Sequence, residues 1–137
     1  MPIQIARACV PFTPLKRGLE ESRIGLVTTA GIYVDGTEPF TDNDLSFRKI
    51  PSDIESGDLR VVAGHYDPAS AEADINCVFP IDRLRSLHSE GLVRKISDAH
   101  FSMGLTTQLR KLKDEASWAL ADDVARTRPD AVILTGG

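Results

Sequence analysis

The tightest grouping of side chains able to move protons in this sequence is Gly64-His65-Tyr66-Asp67. Residues two apart in extended chain project to the same side, so Asp67 can orient or charge-stabilise His65 as a general acid or base. An ordinary loop histidine with a carboxylate beside it shows the same pattern. Asp74-Ile75-Asn76 sets two polar side chains on one side just ahead of an apolar segment. That pair fits either the amine and carboxylate of a ligand or a turn closing its own backbone hydrogen bonds. His100, in Asp98-Ala99-His100-Phe101-Ser102, precedes a long helical pattern and is expected to face the same crevice. His88, beside Ser89 and Glu90 in the middle of a helix, reads as part of a solvated face.

Other chemistries lack their residues. There is no Cys-x-x-Cys or His-Glu-x-x-His spacing to hold zinc. The turn Thr28-Thr29-Ala30-Gly31 has neither the three-glycine dinucleotide fingerprint nor the Gly-Lys-Ser/Thr ending of a phosphate loop. A hydrolytic reading built on His65 and Asp67 would need a nucleophile, and Ser70, the nearby hydroxyl, sits in no recognisable elbow.

These residues need elements to hold them. Residues 1–22 contain Pro2, Pro11 and Pro14 and no sustained period, and read as an extended N-terminal arm. Ile24-Gly25-Leu26-Val27-Thr28-Thr29-Ala30 is an apolar run of strand length that turns at Gly31. From Asp35 to Asp58 the chain is polar, with seven acidic residues, and reads as a long functional loop pinned by Phe40, Leu45, Phe47 and Ile50. Leu59–Ala63 is predicted as the second core strand, with the His65 group just past its end. Ile75–Phe79 is a short strand or an apolar anchor, and Leu92–Ile96 a short strand or a turn. Pro80 opens a helix that carries Leu84 and Leu87 and stops at Gly91. Leu109, Leu112, Ala116, Leu120 and Val124 recur at helical spacing, predicting a helix from about Thr106 to Arg126, closed by Pro129. Ala131–Leu134 is a final strand. The alternation predicts a layered, mostly parallel, Rossmann-like α/β sheet with flanking helices, a single domain over 23–137.

In such sheets ligands bind outside the carboxyl ends of the strands. Thr28, Thr29 and Gly31 after the first strand, His65 and Asp67 after the second, and Asn76 and His100 are therefore the expected pocket. Thr135-Gly136-Gly137 leaves the last strand on the same edge, either as a frayed tail of a finished fold or as the opening of a loop into the site.

The 137 residues suit one hydrophobic core. A net charge of −4 argues against a nucleic-acid surface, which shows a basic stripe. No run approaches the roughly 18 apolar residues of a membrane span, and Met1-Pro2-Ile3-Gln4 starts no signal peptide, so a cytoplasmic protein is expected. Cys9 and Cys77 read as buried thiols rather than a bridge.

Several segments, in order, resemble a known family: Phe12-Thr13-Pro14-Leu15, Leu26-Val27-Thr28-Thr29-Ala30-Gly31, Ser46-Phe47-Arg48-Lys49-Ile50-Pro51, His65-Tyr66-Asp67, Asp74-Ile75-Asn76, Phe79-Pro80-Ile81-Asp82-Arg83-Leu84 and Ala99-His100-Phe101-Ser102. Together they resemble the N-terminal half of the selenoprotein B family of glycine/sarcosine/betaine reductases, with its D-proline reductase relatives. The resemblance implies a subunit for reductive cleavage of a carbon–nitrogen bond in a small amino acid or its N-methyl derivative. It also implies a partner subunit bearing a pyruvoyl group and a dithiol or thioredoxin-like electron donor. The family's selenocysteine or cysteine follows a strand resembling Asp130–Leu134, so the redox residue is expected just past Gly137. Selenocysteine is encoded by UGA, which is read as a stop. The expectation is therefore an incomplete domain, catalytically incompetent alone, whose exposed final strand favours oligomers. A helix N-terminus facing that strand end would hold a selenolate or thiolate charged. The alternative is a non-catalytic module that binds a ligand or partner through residues 31–58 and the His65-Tyr66-Asp67 crevice.

Overall fold

The computed structural model describes residues 13–62, 64 and 66–137. Cys9, most of the predicted arm, and His65 lie outside the described residues. Within 13–22 the chain forms one 3-10 turn, Leu19–Glu21, and then buries Ser22, whose hydroxyl donates to the Gly18 carbonyl.

The apolar run at Ile24 becomes strand β1, Arg23–Thr28, the axis of the main sheet. Its two side-chain faces are buried in different cores. Ile24 and Leu26 pack with Ile50, Phe79, Ile81, Leu84 and Val93, while Val27 packs with Phe101, Met103, Ala116 and Leu120. Burial on both faces explains why the run is apolar without alternation. Strand β2, Ile32–Val34, follows the turn at Gly31.

The polar stretch 35–58 is not one long loop. Phe47–Pro51 forms strand β3, antiparallel to a later strand, and Ser56–Asp58 forms a 3-10 turn. A charged, proline-ended segment is acceptable here because β3 lies on the outer edge of the sheet. The remaining loop is anchored by buried Phe40, with the Arg48 guanidinium 4.3 Å over its ring.

The second predicted core strand is also corrected. Strand β4, Leu59–Val61, pairs antiparallel with β2 in a separate two-stranded sheet. Leu59 is buried but Arg60 is exposed, so one face packs on the core and the other meets solvent. A short helix α1, Ala69–Ala73, and a 3-10 turn, Ile75–Cys77, follow. Ile75, Val78 and Phe79 are buried, making this segment an anchor, not a strand. Cys77 is exposed, contrary to the buried thiol expected, because its turn directs the flanking apolar residues inward instead.

Helix α2, Ile81–Ser89, has Pro80 at its start and Gly91 beyond its end at φ +77°. Strands β5, Lys95–Ile96, and β6, Ala99–Met103, pair with the same edge of β1, β5 at Arg23 and Ile24 and β6 at Val27 and Thr28. They form one interrupted strand, with Ser97 and Asp98 bulged between. The last helix begins three residues later than the periodicity suggests. It runs as α3, Leu109–Lys111, a π turn, Leu112–Ala116, and α4, Ser117–Arg126. Thr106 and Thr107 are held outside it: the Thr106 hydroxyl accepts from the Gln108 N–H, and the Asn43 side chain accepts from the Thr107 N–H. Leu109 at the first turn is exposed, and the stripe that packs on the sheet is Leu112, Ala116, Leu120 and Val124.

Strand β7, Ala131–Thr135, returns parallel to β1 on its other edge, in register from Ile24↔Ala131 to Thr28↔Thr135. The architecture is a layered α/β fold around a mixed sheet, parallel except for β3, as the alternation of elements predicted.

Candidate functional site

The carboxyl ends of β1 and β7 open into a crevice of about 310 Å³, lined by Thr29, Ala30, Val62, Gly64, Tyr66, Leu105 and Gly137. Two hydroxyls hold the strand ends side by side. Thr28 Oγ1 and Thr135 Oγ1 both donate to the carbonyl of Val78, at 3.1 and 2.6 Å. Thr28 also accepts from the Ala30 N–H at 3.1 Å, so its side chain lies beneath the crevice and is fully buried. Thr29 is exposed at the rim, and its N–H continues the ladder to the Thr135 carbonyl.

Gly31 closes the turn out of β1. Its φ of +72° is left-handed backbone, which glycine adopts without a Cβ penalty. Its N–H bonds the Met103 carbonyl and its carbonyl accepts from Val62, tying the small sheet to the large one. Gly31 lines a side pocket of about 30 Å³ with Phe40, Asp42 and Gly104.

Tyr66 forms the opposite wall. Its hydroxyl donates to the Ala30 carbonyl at 3.0 Å, and burial pushes its phenol above the ordinary value, so it stays neutral at physiological pH. Its ring lies against Gly137 so closely that a Cβ there would come within 2.6 Å of it. Among the described residues the crevice lining contains hydroxyls and backbone dipoles but no ionised side chain. It can position a small polar molecule. Proton transfer by a lining carboxylate or imidazole among the described residues is not available.

The other expected pocket residues lie apart. Asp67 is exposed, and its Oδ1 accepts from the Ala69 N–H at the start of α1. Asn76 is a latch: its Nδ2 donates to Asp74 Oδ1 at 2.9 Å and Asp82 Oδ2 at 3.0 Å, and its Oδ1 accepts from the Asp82 N–H. Those bonds from Asn76 hold the Asp74 and Asp82 carboxyls below the usual range. Asn76 lines a larger groove of about 560 Å³ with Tyr33, Arg60, Asp74 and Asp82. The crevice is the better candidate despite its size. Asp74, Asn76 and Asp82 satisfy one another, Arg60 pairs with Asp35 at 2.8 Å, and the groove does not meet the parallel strand ends.

His100 is buried completely, edge-on to Phe79. Its Nδ1 accepts the Leu26 N–H at 3.0 Å, in the gap where β5 ends before β6 begins. The imidazole thus replaces a missing ladder carbonyl, as a buried N–H requires a partner. Burial pulls its pKa from 6.5 to about 4, with the positive charge of Arg85 adding to the shift. Neutral at physiological pH, it serves the sheet rather than the crevice.

Of the expected residues, Thr28, Thr29 and Gly31 come together at one strand end. Tyr66, Val62, Gly64 and Leu105 join them. Tyr66 was legible within the Gly64-His65-Tyr66-Asp67 group, but no local pattern shows that its hydroxyl turns in to the Ala30 carbonyl. Among the described residues no His, Cys, Asp and Glu cluster could hold a metal ion, and no helix is long and apolar enough to cross a membrane.

A layered α/β unit with an open crevice beyond parallel strand ends is the architecture of proteins that bind small molecules at that edge. The chain belongs to the glycine/sarcosine/betaine reductase selenoprotein B family, which it matches over residues 2–137. It is 34% identical over 128 residues to D-proline reductase subunit gamma of Acetoanaerobium sticklandii, covering 92% of this chain and 53% of that protein. Glycine reductase complex component B subunit gamma of Carboxydothermus hydrogenoformans is 31% identical over 133 residues, 92% of this chain and 30% of the relative. Betaine reductase complex component B subunit beta of Peptoclostridium acidaminophilum is 30% identical over 131 residues, 89% and 29% respectively. The chain thus spans between about half and under a third of the length of these relatives, all of them reductase subunits. No solved structure gives a significant match.

Proposed function

We propose that this chain forms part of a reductase subunit acting on a small amino acid or its N-methyl derivative, with the crevice beside Thr29 and Tyr66 as the substrate pocket. The observation that carries the reading is the convergence of two parallel strand ends on a partly enclosed cleft of about 310 Å³, near the lower end of ligand-pocket sizes. Glycine, sarcosine, betaine and D-proline are small enough to enter it.

The reaction we infer breaks the bond between the α-carbon and nitrogen. Two electrons and two protons come from a dithiol, which leaves as the disulfide. A chalcogen carried by the full-length subunit would have to reach this crevice past the close contact of Gly137 with the Tyr66 ring. Such a group would supply the nucleophile for the α-carbon. Thr29 would offer its hydroxyl to the substrate, Tyr66 and Leu105 would shield it from water, and Thr28 and Thr135 would keep the two strand ends in place. Activation of the amine would fall to a pyruvoyl-bearing partner subunit, in line with relatives that are subunits of reductase complexes.

The test is dithiothreitol-dependent turnover of glycine, sarcosine, betaine and D-proline by the full-length subunit containing this chain, assembled with its pyruvoyl partner. One substrate is expected to be consumed. Thr29→Val should lower kcat/KM about 10-fold, the loss of one hydrogen bond to the substrate. Asn76→Ala, in the separate groove, should change it less than about twofold, within the ~0.4 kcal/mol that such a ratio represents. Turnover of none of the four, or an effect of Asn76→Ala but not of Thr29→Val, would overturn the assignment.

A further inference from the structure

The two outer strands of the main sheet differ in a way that bears on what lies beside them. Strand β3, Phe47-Arg48-Lys49-Ile50-Pro51, carries two cations and a proline. These are the devices that keep a free edge from recruiting another strand. Strand β7, Ala131-Val132-Ile133-Leu134-Thr135, carries no charge, no proline and no glycine. Its apolar side chains project from both faces, Ala131 toward the core of Ile24 and Leu26 and Val132 toward that of Val27 and Leu120. That composition belongs to an interior strand of a parallel sheet. Yet Ile133 is 40% and Leu134 76% exposed.

The backbone says the same. With the Thr29 N–H bonded to the Thr135 carbonyl and Thr28 in register with Thr135, alternate residues of β7 turn their polar groups toward β1. Val132 and Leu134 therefore turn theirs to the far edge, where no strand lies among the described residues.

We propose that β7 is an interior strand of the assembled reductase subunit, and that its far edge takes a parallel strand from the portion of the subunit that this chain does not match. The longer relatives carry that portion: the match covers 53% of D-proline reductase subunit gamma and about 30% of the glycine reductase subunits. The occupant's chemistry follows from the edge. It is an apolar strand parallel to β7, joined to a helix or helices that cover Leu134 on one face and Ile133 on the other, since parallel strands are connected through such crossovers. Its own carboxyl end would then lie next to Gly137 and add a wall to the crevice. The inference rests on the sheet and stands or falls independently of the substrate reading.

Amide hydrogen exchange tests it by comparing this 137-residue chain with the intact D-proline reductase subunit gamma. The amides of Val132 and Leu134 should exchange quickly in this chain. Those aligned with them in the intact subunit should be protected at least about 100-fold more, as for core strands. Leu134→Lys should leave the urea midpoint of this chain nearly unchanged, because the side chain is in water. The equivalent lysine in the intact subunit should markedly lower its midpoint by burying a charge. Equal exchange in the two proteins would overturn the proposal, as would equal tolerance of lysine. Protection of Val132 and Leu134 appearing in this chain alone, with a concentration-dependent dimer mass, would also overturn it by showing a second copy as the occupant.

Discussion

Mild acid should destabilise this protein through a single buried imidazole. His100 has no solvent exposure and a folded pKa near 4 against 6.5 unfolded, so the unfolded chain takes up a proton that the folded chain refuses. The sign follows from linkage: above pH 6.5 both states are neutral and stability is complete, and it falls as the pH drops from 6.5 toward 4. At ~1.4 kcal/mol per pH unit the loss is about 2 kcal/mol by pH 5 and about 3 kcal/mol by pH 4. Protonation in the folded state would also remove the acceptor that the Leu26 N–H uses. Urea denaturation at pH 7, 6 and 5 measures the effect, with His100→Gln as the reference that cannot titrate. The variant should lose about 1–3 kcal/mol at pH 7, where the Leu26 bond is weakened, but its stability should change with pH by about 2 kcal/mol less than that of the wild type. The carboxylates that Asn76 or Ser46 hold below 3.8, Asp74, Asp82 and Asp44, lose their contribution as the pH falls below that value, under this window. Parallel pH profiles for wild type and His100→Gln would refute the reasoning.

Gly31→Ala should lower the urea midpoint by the equivalent of about 1–2 kcal/mol, since alanine is strained at φ +72° and its Cβ would stand 3.4 Å from the Val62 carbonyl oxygen. Phe79→Ala should cost about 3–5 kcal/mol in the same assay, because a fully buried ring at the centre of the larger core leaves a cavity. Asn76→Ala should raise the Asp82 titration midpoint, read by carboxyl carbon NMR, because the Asn76 amide is the leading cause that holds it down. An unmoved midpoint would assign that role to Ser56 and Arg85 instead.

Much of the frame was legible because local pattern and burial coincide. The apolar run Ile24–Ala30 reads as the first core strand, and Arg23–Thr28 is that strand, buried on both faces. Pro80 and Gly91 bracket α2, and the Leu112–Val124 stripe follows helical spacing onto the sheet. The ordered motifs carried the family resemblance, which the match over residues 2–137 bears out. Where the pattern failed, the deciding contact was distant in sequence. Arg48 and Lys49 look like loop residues until an edge position next to β6 makes their charge acceptable. Leu59–Val61 reads as a core strand, but its partner is β2, and no local signal distinguishes one partner from another.

The same division runs through the candidate site. Topology and motif order placed Thr28, Thr29 and Gly31 at a carboxyl edge. Tertiary structure decided which side chains reach it: Tyr66 turns in to Ala30, while Asp67, one residue on, turns to α1. It also turned His100 from a candidate acid or base into a backbone partner, because a break between β5 and β6 left the Leu26 N–H without a carbonyl. A side chain's chemistry is written in its residue type, but its protonation and its role depend on neighbours brought from 74 positions away, and only the folded chain supplies them.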